Sequence, residues 1–86
     1  MKENKEQLQR MHNQYLAQEK GKLRQLEKSR DKLKVEIINT YDSGVANHWQ
    51  WGLDKKYECL RAQHKVICNI IEAQKKHIEN MISIEY

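Results

Sequence analysis

His64 and Cys68 are the pair in this chain whose types and spacing could do chemistry. Four apart on a helix, they share one face, as two ligands of a metal site would. A third and fourth ligand would have to come from His12, His48, His77, Cys59 or another subunit, and no Cys-x-x-Cys pair is present. A Cys/His nucleophile would need a shaped pocket, which two helices do not supply. There is no glycine-rich phosphate loop and no nucleophile elbow. Cys59 and Cys68 would lie about 180° apart around a helix and roughly 13 Å along it, out of disulfide reach of one another. They read as small apolar residues in a reducing compartment. The expectation is a chain that is not an enzyme and takes no metal or cofactor. His64 is then a polar residue on a packing seam.

The elements that would position these residues are two long helices. From His48 onward the apolar positions are Trp49, Leu53, Tyr57, Leu60, His64, Ile67, Ile71, Gln74, Ile78 and Met81. Their steps of three and four make a sustained heptad-like repeat, with Gln74 as a second polar member. The first arm follows Leu8, Met11, Tyr15, Leu16, Leu23, Leu26, Leu33, Ile37 and Tyr41, with polar seam positions at Glu19 and Arg30. Period-two alternation is absent, which argues against strands. No proline interrupts either arm. Gly21 lies inside the first pattern, as a tolerated helix glycine or the mark of a bend or close approach.

Between the arms the pattern fails at Asp42-Ser43-Gly44. Gly44 suits the left-handed position past a helix end. Asn47, with Gln50 three residues on, has the form of a capping box for the next helix. The expected layout is one domain over 1–86: helix 1 over about 4–42, a turn over about 43–47, and helix 2 over about 48–84. A connection this short makes the helices antiparallel neighbours with nearly equal arms. The fold class is all-α: an antiparallel, coiled-coil-like hairpin. Trp49 belongs to its buried seam. Trp51 points away, either as a partner anchor or folded back over Val45 and Ala46. Gly52 beside it permits close backbone approach.

With 38% apolar residues, 33% charged residues and a mean hydropathy of -1.01, the chain is too polar for a conventional globule. It is not too polar for helices that each bury one stripe. The net charge of +4 is a mild basic bias. Seven basic residues fall between Lys20 and Lys34, at many angles around the axis and with no aromatic interleaved for base stacking. No apolar run approaches a membrane span and no signal-peptide pattern opens the sequence. The expected compartment is the cytoplasm, with export alongside a partner, without a cleaved signal, left open.

Val66, Ile70, Ile82 and Ile84 widen the second stripe beyond what one facing helix covers. A partner completing a four-helix bundle would bury the surplus. The expected partner interface is Trp51, Ile67, Ile70, Ile71, Ile78 and Ile82. Glu19, Arg30, His64 and Gln74 would set specificity, because a polar seam residue costs stability unless the right partner satisfies it. A turn near residue 45 would place Glu19 across from Ile71 and Arg30 across from Leu60, so these residues would not pair within the hairpin. The turn residues of note are Gly44, Asn47, Trp49 and Gly52.

The length, the paired helices and the Trp49-Gln50-Trp51-Gly52 element resemble the WXG (Esx) hairpins of bacterial type VII secretion. The glycine here follows Trp51 directly rather than standing two residues after a tryptophan, and no Tyr-x-x-x-Asp/Glu signal closes the chain. The layout is closer in style to the small helical proteins that accompany LXG toxins. That resemblance implies a secretion chaperone or targeting adaptor that binds the helical domain of a secreted toxin or effector. The helical-hairpin chaperones of type III secretion are similar in layout. Two alternatives stand beside it: a nucleic-acid-binding protein using the Lys20–Lys34 stripe, and a homodimeric structural or inhibitory module, for example phage-encoded.

Overall fold

The computed structural model describes residues 2–84, with side chains over 4–84; Met1, Glu85 and Tyr86, the ends of the expected 1–86 domain, lie outside the described residues. Two helices account for nearly all of it: α1, Lys2–Ala46, and α2, Leu53–Ile82. They pack side by side as an antiparallel hairpin 69 Å long and 14 × 13 Å across. Among the described residues there is no strand. The all-α hairpin expected from periodicity is therefore the fold.

The arms are not equal. α1 has 45 residues and α2 has 30. At the helical rise this leaves roughly 20 Å of α1 without an α2 neighbour. Leu8, Met11 and Tyr15, expected on the seam, are exposed; Leu8 lies on the overhang, whereas Tyr15, four residues before Glu19, lies within the span that α2 covers.

The seam on α2 is as the spacing predicts. All ten positions from Trp49 to Met81 are buried or half-buried, and Leu60, Ile71, Ile78 and Met81 form the apolar core. Ile71 is the most covered of these, at 3% exposure. On α1 the seam is Leu16, Glu19, Leu23, Leu26, Arg30, Leu33, Ile37, Thr40 and Gly44, again in alternating threes and fours. Tyr41 is displaced from it by one residue and is exposed. Thr40 takes the buried place, because the heptad step from Ile37 is three and not four.

The turn comes later than residues 43–47. α1 continues through Ser43 and Gly44 to Ala46, and the connection occupies 47–52. Gly44 is helical. Its missing side chain makes room for the Trp49 indole, which sits directly on its backbone. Asn47 does not cap α2. Its backbone N–H and its Nδ2 both donate to the Ser43 carbonyl, at 3.0 and 2.8 Å, so it closes the C-terminal end of α1. The Trp49 N–H reaches back to the Gly44 carbonyl at 2.7 Å, with His48 between them at φ 55°. A six-to-one bond across a left-handed residue is the Schellman motif, and the Trp49–Gly44 contact is the apolar touch that accompanies it.

The chain then reverses. Leu53 N–H donates to the Gln50 carbonyl, and the two residues between, Trp51 and Gly52, have φ 57° and 71°. Positive φ at both central positions is the type I′ pattern. Gly52, not Gly44, is thus the glycine that occupies left-handed backbone, and it precedes α2 without a side-chain cap. His48, Trp49 and Trp51 hold positive φ without being glycine, which costs on the order of 1 kcal/mol or more each. An aromatic cluster offsets that cost. Trp49 lies 5.7 Å from Tyr41 and 5.4 Å from Tyr57, and Tyr41 lies 5.7 Å from Tyr57, centroid to centroid. Such pairs contribute about 0.5–1.5 kcal/mol each beyond their burial.

The two helical glycines should respond to alanine with opposite signs. A Cβ at Gly21 meets nothing within 4 Å, so Gly21→Ala should stabilise the hairpin by about 0.5–1 kcal/mol. A Cβ at Gly44 collides with the Trp49 ring, and overpacking costs of about 1–3 kcal/mol outweigh the helix-propensity gain. Urea melts of the two variants against the parent chain measure both signs.

Candidate interaction surface

Two of the polar seam residues, Glu19 and Gln74, satisfy one another within the hairpin. Glu19 is 4% exposed. Gln74 Nε2 donates to Glu19 Oε2 at 2.6 Å and to the Glu19 backbone carbonyl at 3.0 Å. Lys22 Nζ donates to Glu19 Oε1 at 3.1 Å from one turn away. The later turn shifts the antiparallel register, so Glu19 meets Gln74 rather than Ile71. The expectation that these residues would not pair inside the hairpin is corrected by that shift. Arg30 stays on its own helix, with Nε donating to Asp31 Oδ1 at 3.3 Å. His64 and Cys68 touch through sulfur–nitrogen separations of 3.8 Å, a weak contact. Among the described residues no group of three or more His, Cys, Asp or Glu is placed to hold a metal ion.

The hydrogen bond from Gln74, then that from Lys22, holds the Glu19 carboxyl below its ordinary value; burial opposes them, and the charges of Lys22 and His77 help. Each donor favours the ionised form because it can bond a carboxylate more strongly than a neutral acid.

The expected partner residues fall in three different places. Ile71 and Ile78 are core, turned toward α1, and offer no surface to a partner. Ile82 is exposed, but two heptads beyond Cys68 it lies on the flank that Cys68 shares with Arg61 and Lys65. Ile67 and Ile70 line a shallow groove on the other flank, with Leu26, Leu33, Cys59, Gln63 and Val66. Val66 is 58% exposed there and Ile70 47%. Leu26 also joins this groove to a second one, lined by Lys22, Gln25, Ser29 and Gln74. Trp51 stands at the tip, 81% exposed, and does not fold back over the connection.

The two flanks differ in kind. One carries Lys34, Glu58, Arg61 and Lys65 around Ile37 and Ile38. The apolar groove on the other has no charged residue in its lining. The basic run from Lys20 to Lys34 is divided between them: Lys34 lines the first, Lys22 the second, and Arg30 sits on the seam. Leu26, Leu33, Cys59 and Gln63 were not in the expected interface. Val66 was legible as surplus apolar area, but which flank it shares with α1 depends on register.

No family model, curated protein or solved structure matches this chain. No helix among the described residues is long and apolar enough to cross a membrane.

The Glu19–Gln74 pair gives stability a pH signature. A depressed folded pKa means the contribution is complete above the ordinary value of 4.5 and is lost as pH falls below it through the folded value. Melts from about pH 7 down to about pH 3 should show the parent chain losing stability more steeply than Glu19→Gln. Gln74→Leu should weaken the hairpin at neutral pH and flatten the same limb.

Proposed function

We propose that this chain is a non-catalytic helix–helix interaction module, most concretely a cytoplasmic chaperone or targeting adaptor. Its client would be the helical domain of a toxin or effector secreted by the type VII pathway. The observation that carries the association function is the uncharged groove around Val66 and Ile70. Among the described residues no fully buried side-chain nitrogen or oxygen lacks a partner, so the unmet demand is apolar area. Covering that area with a client helix would contribute about 25 cal/mol per Å² removed from water. The Ile67 and Ile70 part of the expected interface belongs to this groove, and Trp51 at the tip adds a second anchor of the kind enriched at interface hot spots. A client hairpin laid on this face would complete a four-helix bundle. The type VII assignment draws on the layout of length, paired helices and the Trp49–Gly52 element, and export of the chain together with its client is part of that proposal.

Co-expression with the helical targeting domain of an LXG-type toxin tests it. The parent chain should co-purify with that domain at a fixed ratio. Val66→Asp combined with Ile70→Asp should abolish the complex while leaving the free chain as helical as before by circular dichroism. Failure of the parent chain to bind any such domain would remove the type VII assignment. Loss of the complex on Lys34→Glu but not on the double aspartate change would replace apolar docking with an electrostatic mechanism.

A further inference from the structure

The carboxylates of this hairpin are distributed unevenly. Glu58 lines the charged flank, and Glu72 and Glu79 recur at heptad spacing after it. On α1, Glu27 and Asp31 stand one heptad before Lys34 and Ile38, on the same flank. The opposite flank has no carboxylate in the lining of either joined groove, and Lys22 is its one charged lining residue. One heptad beyond the groove residues Gln25 and Gln63, in either direction, come Lys32 and Lys56. Among the described residues Glu36, one heptad after Ser29, is the lone carboxylate on this side.

We infer that the Val66–Ile70 groove takes an amphipathic helix of another protein whose apolar stripe is flanked by carboxylates. The inference rests on the association function proposed above and specifies its partner's chemistry. The groove supplies the apolar floor, and Lys32 and Lys56 supply cations at its margins, Lys22 being paired with Glu19. A second copy of this chain laid face to face would set lysines against lysines, with one Glu36 per copy to offset them; like charges at an interface disfavour that pairing. An acidic-flanked helix meets the same margin with complementary charge. The α2 lining of the two joined grooves, from Cys59 to Gln74, runs roughly 22 Å at helical rise, so the bound segment is about 15 residues long.

Two synthetic helical peptides of about 15 residues serve as probes, sharing one apolar stripe and flanked by either glutamate or lysine. The full chain, titrated by calorimetry at low salt, should bind the glutamate peptide at least about tenfold more tightly than the lysine peptide. Lys32→Glu with Lys56→Glu should erase or invert that preference. Bound glutamate peptide should also slow alkylation of Cys59, which lines the groove, with mass mapping to locate the label. Equal affinity for both peptides, or a preference untouched by the lysine reversals, overturns the inference. So does duplex DNA competing the glutamate peptide away, and so does a concentration-dependent dimer dissociated by Val66→Asp with Ile70→Asp, which would make the occupant a second copy. These outcomes leave the adaptor function to its own co-purification test. Peptide preference without any toxin-domain complex would retain the partner chemistry and discard the type VII client.

Discussion

The Trp49 indole seated on the backbone of Gly44 is the contact on which the rest of the hairpin depends. It can form only if α1 continues past residue 43, if residue 44 lacks a side chain, and if His48 and Trp49 adopt left-handed backbone. Once formed, it fixes where α1 stops and how far along α1 the second helix begins. Register follows from that placement. Register in turn decides that Gln74 meets Glu19, that Ile71 and Ile78 are core, and that Val66 and Ile70 face out. The strain of three non-glycine residues at positive φ is concentrated in the six residues that set this geometry.

Two helices meeting along one seam have little interior. Among the described residues no side chain is fully enclosed, and the buried apolar residues are all on α2. In so thin a core a buried carboxylate with the wrong neighbour would be costly. Glu19 is tolerated because Gln74 and Lys22 bond it from two sides. The pair contributes specificity as well: sliding α2 by one heptad would leave Glu19 facing Ile67 or Met81, neither of which has a side-chain donor to offer. The seam thereby pairs Glu19 with Gln74 internally and leaves an uncharged apolar groove on one flank.

Much of this was legible in the chain, and the failures are informative. The α2 seam could be read because eight of its ten positions are apolar or aromatic and the steps are regular. The end of the α1 seam could not, because Thr40 and Gly44 are not apolar and Tyr41 next door is. The turn was misplaced because Gly44 and Asn47 match a common stop-and-restart pattern, whereas a left-handed histidine in a Schellman motif leaves no mark in composition. The Glu19–Gln74 pair and the division of isoleucines between core and surface both depend on register. Spacing along α2 alone puts Ile71 on the seam and Ile70 beside it, but it does not say which α1 residues flank Ile70 until the position of the other helix is known. The uneven placement of carboxylates was hidden for the same reason, since flank is a property of the pair and not of either helix.

Small-angle X-ray scattering of the isolated chain over a concentration series tests the central claim most directly: that the hairpin closes its own seam and leaves one flank open. The account predicts a mass near the 10.4 kDa of one chain and a radius of gyration within a few ångströms of 19.9 Å, at every concentration. A doubled mass with a much larger radius would contradict it. That result would mean that residues 47–52 open, that the helices pair between chains instead, and that Trp49 on Gly44 does not set the register.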